Sequence, residues 1–179
     1  MNRAILTTKN TFVDEINDIL TQKFQREEKE YISFDETLDP NDQAHYEDLL
    51  HSLTPHGLPL HKLILKVDAP IILLRSMNPA EGLRNGTRLF CKDFDRNVIR
   101  AHIAFSDFAG KEVFIHRIPL QPPSGEEYTV PFKRTQFPIK VCITINPHIC
   151  NVNGNSRMHF TMVVPFFAKH INNHQRNYY

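Results

Sequence analysis

Apolar residues return along this chain in two rhythms. Phe12, Val13, Ile16, Ile19, Leu20 and Phe24 recur at helical spacing, and Thr11 with Asp14 three positions later forms the capping box that starts such a helix. The run Ala4-Ile5-Leu6-Thr7 just before it has strand character. The opening stretch therefore predicts a strand, a tight polar turn and an amphipathic helix, a unit typical of open α/β sheets, where ligands favour the turn at the carboxyl end of the strand. Residues 25–39 are acidic and without period, and predict irregular chain. Asp39-Pro40 then offers an N-cap followed by proline at the first helical position. Tyr46, Leu49, Leu50 and Leu53 carry this second helix to Thr54-Pro55-His56-Gly57, where Pro55 and Gly57 end it.

From Leu60 to Leu120 the rhythm changes to short strand-like runs at 63–67, 71–74, 87–90, 98–105 and 113–118. The turn formers Asn78-Pro79, Asn85-Gly86, Asp95-Arg96-Asn97 and Ala109-Gly110 separate them. Five short strands at this spacing suggest a small barrel, since closing the sheet removes edges that would otherwise pair with other chains. After a Pro-rich acidic loop at 121–131, apolar residues alternate from Ile139 to Ile145 and predict one further strand with a single buried face. Beyond Asn146 the patterning is weak, and a loosely ordered tail is expected.

Composition narrows the class without naming it. The 179 residues hold 41% apolar and 23% charged positions, close to ordinary folded domains. Lys and Arg total 21 against 20 Asp and Glu, so no overall field recruits a polyanion and any nucleic-acid contact must be local. Cys91, Cys142 and Cys150 are odd in number and widely spaced, which excludes a disulfide framework or paired zinc spacing and fits a reducing compartment. Met1 to Asn10 carry no apolar block, so no secretory leader is expected. The longest apolar stretch, 162–168, is far short of the ~20 residues that span a bilayer. Asn85-Gly86-Thr87 matches a glycosylation acceptor but reads as a turn.

The order of these motifs resembles the second half of Pif1-like DNA helicases, particularly the type carried by Helitron transposons. Residues 4–10 with Val13-Asp14-Glu15-Ile16-Asn17 resemble the strand and helix that open the second RecA-like domain. Gly57-Leu58-Pro59-Leu60-His61-Lys62-Leu63, then 69–75, Asn78-Pro79 and Gly82-Leu83-Arg84-Asn85-Gly86-Thr87-Arg88-Leu89 resemble the family's 2B domain, a small SH3-like barrel. Arg117-Ile118-Pro119, Phe132-Lys133-Arg134 and Gln136-Phe137-Pro138 continue the likeness. It ends after Thr144-Ile145-Asn146: the family continues with a Lys-Ser-Gln-Gly run, and Pro147-His148-Ile149-Cys150 stands here.

The resemblance implies an α+β fold, a partial RecA-like α/β domain (2A) with an inserted SH3-like barrel (2B). Residues 1–57 would open the 2A domain, 58–120 form the barrel, 121–146 return to 2A, and 147–179 form a divergent tail. It implies a parent enzyme that unwinds DNA 5′ to 3′ with ATP and Mg²⁺, works in DNA repair and recombination, and is intracellular: nuclear, or mitochondrial by analogy. The sequence carries no Gly-rich phosphate loop followed by Lys and Ser or Thr, so ATP hydrolysis by this chain is not expected. Gly110-Lys111 lacks the rest of that motif and reads as a hairpin turn. Candidate contacts to single-stranded DNA are Thr7, Thr8, Lys9 and Asn10 at a helix start, Arg75 and Arg88 in the barrel, and Lys133, Arg134 and Thr144 beyond it. Lys133 and Arg134 are flanked by Phe132 and Phe137, an interleaving that suits stacking plus phosphate contact, although Phe137 reads first as core. His51, His56 and His61 recur every five residues with no carboxylate at ligand spacing and read as surface or turn residues. The expected partners are single-stranded DNA and the N-terminal helicase half in trans, with no membrane role. An interaction module and an inert remnant are the other readings.

Overall fold

The computed structural model describes residues 17, 19–23, 25–123, 128 and 130–143. Residues 24–141 form one compact unit, and the described residues 17, 19–23, 142 and 143 belong to a second. In the second, 17 and 19–23 are helical, as the spacing predicts. Thr21 Oγ1 donates to the Asn17 carbonyl at 2.7 Å, and Asn17 Oδ1 accepts the Ile143 N–H at 3.0 Å. Ile19, expected on the apolar stripe, is instead exposed. The strand expected at 4–7, the helix start at Thr11 and the tail at 147–179 lie outside the described residues.

The larger unit is built from the strands β1 (Glu28–Ile32), β2 (Phe34–Thr37), β3 (Lys62–Lys66), β4 (Pro70–Leu73), β5 (Arg88–Phe94), β6 (Val98–Ile103), β7 (Glu112–His116), β8 (Ile118–Leu120), β9 (Phe132–Gln136) and β10 (Ile139–Val141). One helix, α1 (Gln43–Ser52), follows a 3₁₀ turn, Pro40–Asp42. The Asp39 carboxylate accepts the Asn41 N–H at 2.9 Å, as its N-cap position predicts. Strands β4 to β7 form an antiparallel meander, and β10 returns beside β4 to give the sheet order β10-β4-β5-β6-β7. A second sheet runs β2-β9-β8, and β1 pairs with β3.

Alternation decides what is buried. Along β6, Ile99, Ala101 and Ile103 face inward while Val98, Arg100 and His102 face out. With Leu65, Ile71, Leu73, Leu89 and Ile115 they form one closed core. Each fully buried Leu or Ile there contributes about 1.5–3 kcal/mol from apolar surface removed from water. A smaller cluster of Leu50, Leu58, Leu120 and Phe132 seats α1 on the β2-β9-β8 sheet. The fold is thus mixed and sheet-rich, as expected.

Two features differ from the expectation. Residues 25–39, read as irregular, contain β1 and β2. Their charges hide the period: Glu28 and Glu30 reach Lys66 and Lys62 on the neighbouring strand at 3.3 and 2.6 Å. Tyr31 alone carries the buried face of β1, packing edge-on against Phe137 with ring centroids 4.8 Å apart. Phe137 is fully buried, a core residue as first read. The second difference is extent. Because β1 pairs with β3 and β10 with β4, the strands flanking 58–120 belong to the same compact unit as the barrel. The last strand, expected to reach 145, ends at Val141 among the described residues.

Candidate functional site

Arg134, expected to meet DNA, is fully buried, and this is a correction to the expected site. Strand β9 alternates Phe132, Arg134 and Gln136 inward, so the guanidinium enters the space between α1, β2 and the 53–59 loop. A guanidinium has five N–H donors in a fixed fork, and all five are used. Nε donates to Asp35 at 3.0 Å, and Nη2 donates to Asp35 Oδ2 at 2.8 Å and to the Leu50 carbonyl at 2.7 Å. Nη1 donates to the carbonyls of Leu53 and Pro59, both at 3.1 Å. The side chain therefore neutralises a buried carboxylate, donates to the Leu53 and Pro59 carbonyls, and adds a second donor to the Leu50 carbonyl, which also accepts the Leu53 N–H at 3.2 Å. No N–H remains for a phosphate. Gln136 braces the same region, its Nε2 donating to the Tyr31 and His61 carbonyls at 3.2 Å.

Around Asp35 the fold gathers Ser33, His51 and His61. The sequence reading of the histidines rested on the lack of a nearby carboxylate, and the fold supplies one from 26 positions before His61. Ser33 Oγ lies 2.6 Å from Asp35 Oδ1 and 2.8 Å from His61 Nδ1. An ionised carboxylate only accepts, so the hydroxyl proton goes to Asp35 and Nδ1–H of His61 donates to the hydroxyl oxygen. Ser33 consequently has no imidazole base, and the trio is not a nucleophilic triad. Asp35, His51 and His61 also lie within metal-ligand reach of one another. The carboxylate is already charge-balanced by Arg134, and a divalent cation would sit beside that guanidinium, so the cluster does not fit a metal.

His51 and His61 stack with centroids 3.9 Å apart. Burial, then His51, holds the His61 pKa below its ordinary value of 6.5; Asp35 opposes the shift and Arg134 adds to it. The folded protein then binds fewer protons than the unfolded chain as pH falls below 6.5. Stability should therefore decline through that point and level off below the folded pKa. Thermal melts at pH 7.5 and 5.5 should show the drop, and His61→Gln should reduce it; an undiminished drop in the variant would remove His61 as its source.

The other expected contacts scatter. Thr7, Thr8, Lys9, Asn10 and Thr144 lie outside the described residues. Lys133 points outward from β9 but is held by Glu36 at 2.8 Å. Arg75, two residues beyond β4, and Arg88, on the outer face of β5, are half-buried. Of the neighbouring basic residues, Lys62 and Lys66 pair with glutamates, and Arg117 turns inward over the Phe137 ring at 4.9 Å. The sequence reading missed an aromatic pair on that outer face. Phe90 of β5 and His102 of β6 are cross-strand partners with centroids 5.3 Å apart, and Arg88 stands two residues from Phe90 on the same side. The signal was present as the outward positions of two alternating strands.

The motif-bearing loop between β4 and β5 closes on itself. Thr87 Oγ1 donates to the Gly82 carbonyl at 2.8 Å, Asn78 Nδ2 donates to Glu81 at 2.8 Å, and Leu83 inserts into the barrel core. Gly82 has φ +87 and lies against the Phe108 ring, where a Cβ would come within 2.7 Å. Gly110 and Lys111 form the β6–β7 turn: Gly110 N–H donates to the Ile103 carbonyl at 2.8 Å, and Lys111 pairs with Glu81 at 3.1 Å. Those groups are spent on the hairpin, so they do not fit a nucleotide phosphate.

The larger unit is thus a five-stranded antiparallel sheet that shares one core with β1 and β3, with α1 seated on a second, three-stranded sheet. Residues 48–94 match the family described as DNA helicase Pif1, 2B domain. No curated protein matches the chain. Solved structures do: Pif1 helicase from Candida albicans (TM-score 0.58, 20% identity, 83% of this chain, 36% of that one) and unliganded Pif1 from Bacteroides sp (0.55, 21%, 82%, 42%). Pif1 helicase from Bacteroides in complex with ADP-AlF3 and single-stranded DNA matches at TM-score 0.55, 19% identity, 82% of this chain and 31% of that one. The chain shares the fold of these structures over most of its residues and spans 31–42% of their length.

Proposed function

We infer that this chain is the 2A/2B portion of a Pif1-like helicase, of the Helitron type, and that its own activity is weak binding of single-stranded DNA. The match of residues 48–94 to the Pif1 2B domain carries the reading. Support comes from the outer face of the five-stranded sheet, where Arg88 stands beside the Phe90–His102 ring pair. A cation on the same face as two half-buried rings suits stacking of bases with contact to phosphate, independent of sequence. Arg75, and Lys133 once it leaves Glu36, would add phosphate contacts, with Thr7 to Asn10 and Thr144 contributing from the remaining chain. In the parent enzyme, ATP with Mg²⁺ would be held by residues outside this chain, and unwinding 5′ to 3′ in DNA repair and recombination, in the nucleus or mitochondria, would need that companion half in trans.

The reading is tested by titrating a labelled single-stranded oligonucleotide with the purified chain and with an Arg75→Ala/Arg88→Ala variant. Each lost phosphate contact should weaken binding several-fold and evenly across sequences. Equal affinity in the variant would exclude these two arginines from the interface. A protein-interaction module would instead show no DNA affinity while remaining folded.

A further inference from the structure

Strand β7 is the edge of the five-stranded sheet, paired with β6 on one side and with no strand on the other among the described residues. Its backbone direction follows from the hairpin. Ile103 N–H donates to the Lys111 carbonyl, and in an antiparallel ladder alternate residues address the same neighbour. Lys111, Val113 and Ile115 therefore spend their N–H and C=O groups on β6, while Glu112, Phe114 and His116 turn theirs to the open edge. The same three side chains point outward, and Phe114 is 61% exposed at the centre of the strand. Edges of this kind are usually blunted by lysine, proline or a bulge. The sequence Glu-Val-Phe-Ile-His has none of these.

We propose that β7 pairs antiparallel with β7 of a second copy of this chain, about a twofold axis through Phe114, joining two five-stranded sheets into one. The strand is self-complementary about that residue. Two positions before Phe114 stands an acid and two after it an imidazole; one position to either side stands a β-branched aliphatic residue. Twofold pairing sets Phe114 opposite Phe114, and Glu112 opposite His116 twice, with Val113 opposite Ile115. Aromatic pairs and acid–base pairs are the cross-strand combinations that stabilise a sheet, and an isologous contact requires this kind of self-match.

The register is also selected against its neighbours. Phe114 and its flanking residues at 112 and 116 all carry free backbone groups, so the symmetric register completes three hydrogen-bonded pairs. A slip of two residues would oppose Phe114 to Glu112 or His116 and leave one end of each strand unpaired. The row Asp93–Arg100–Phe114, tied by the 2.8 Å Arg100–Asp93 contact, would continue across the axis into its own copy. Two five-residue strands bury less than the ~1,200 Å² of stable complexes, so the pair is weak and concentration-dependent.

Sedimentation equilibrium of the full chain should show monomer at low concentration and dimer as it approaches about 1 mM, in the range of weak complexes. Amide exchange should slow with concentration at Glu112, Phe114 and His116. Val113 and Ile115, already protected by β6, should not change. Phe114→Lys places two ammonium groups face to face at the axis and should weaken association at least tenfold while leaving the melting temperature unchanged. Glu112→Lys should weaken it too, and adding His116→Glu should restore it. A mass independent of concentration, association unaffected by Phe114→Lys, or new protection at other strands would overturn the proposal.

Discussion

Arg134→Ala is expected to destabilise the 24–141 unit by about 3–5 kcal/mol, the cost of leaving a buried charge without its partner. The loss has two parts. Asp35 would remain at zero side-chain exposure with no countercharge, and the carbonyls of Leu53 and Pro59 would lose the donor that Arg134 supplies. Arg134→Lys should rescue little, because a lysine ammonium has three donors from one point and cannot reproduce the fork. Replacing both partners, as in Asp35→Leu with Arg134→Met, should recover the charge cost but not the carbonyls, and so fall between the wild type and the single variant. Urea unfolding followed by circular dichroism reads all three. For a unit of this size each kcal/mol corresponds to roughly 4–8 °C in Tm, so Arg134→Ala should lower Tm by more than about 10 °C. A loss under about 1 kcal/mol would mean that the five-bond arrangement does not hold the helix to the sheet.

Gly82→Ala comes next, at about 2–3 kcal/mol, from left-handed backbone strain of about 1–2 kcal/mol plus collision. A Cβ at Gly82 would meet Phe108 Cδ2 at 2.7 Å, Phe108 Cγ at 2.9 Å and Ile103 Cδ1 at 3.2 Å. Gly57 and Gly86 provide the control, since both have positive φ and open space where a Cβ would stand. Their alanine variants should pay the strain alone. The double variant Gly82→Ala/Phe108→Ala should cost less than the sum of its singles, because removing the ring relieves the crowding. Equal losses at positions 57, 82 and 86 would show that the Phe108 contact has no weight.

The legible part of this protein was the part whose pattern is local. Alternation placed β3, β4, β6 and β7 within a residue or two and β5 four residues short of its end, and the Asp39-Pro40 signal placed the start of the helical segment, because an N-cap acts on the next few residues. The Asn78 to Thr87 motif read correctly as turns, since most of its bonds close locally, as Thr87 Oγ1 to the Gly82 carbonyl and Asn78 Nδ2 to Glu81 do. What escaped depends on distant partners. Strand β1 carries one buried residue and looks like charged loop until Lys62 and Lys66 stand beside it. Arg134 read as a surface cation because nothing nearby in sequence announces Asp35, 99 positions away. The convergence of His51, His61 and Asp35 likewise comes from packing α1 and β3 against β2, which no spacing rule displays. The aromatic pair Phe90–His102 was visible as two outward positions, but only the β5–β6 register makes it a platform.

The proposed binding of single-stranded DNA would rest on a few local phosphate contacts on a chain with little net charge. The salt dependence of oligonucleotide binding tests it most directly. Each neutralised phosphate contributes about −0.7 to the slope of log K against log salt on single strands. Two or three contacts predict a slope of about −1.4 to −2, with binding measurable at 50 mM salt and nearly lost at several hundred millimolar. A folded chain with no affinity at low salt, or an affinity indifferent to salt, would contradict the account.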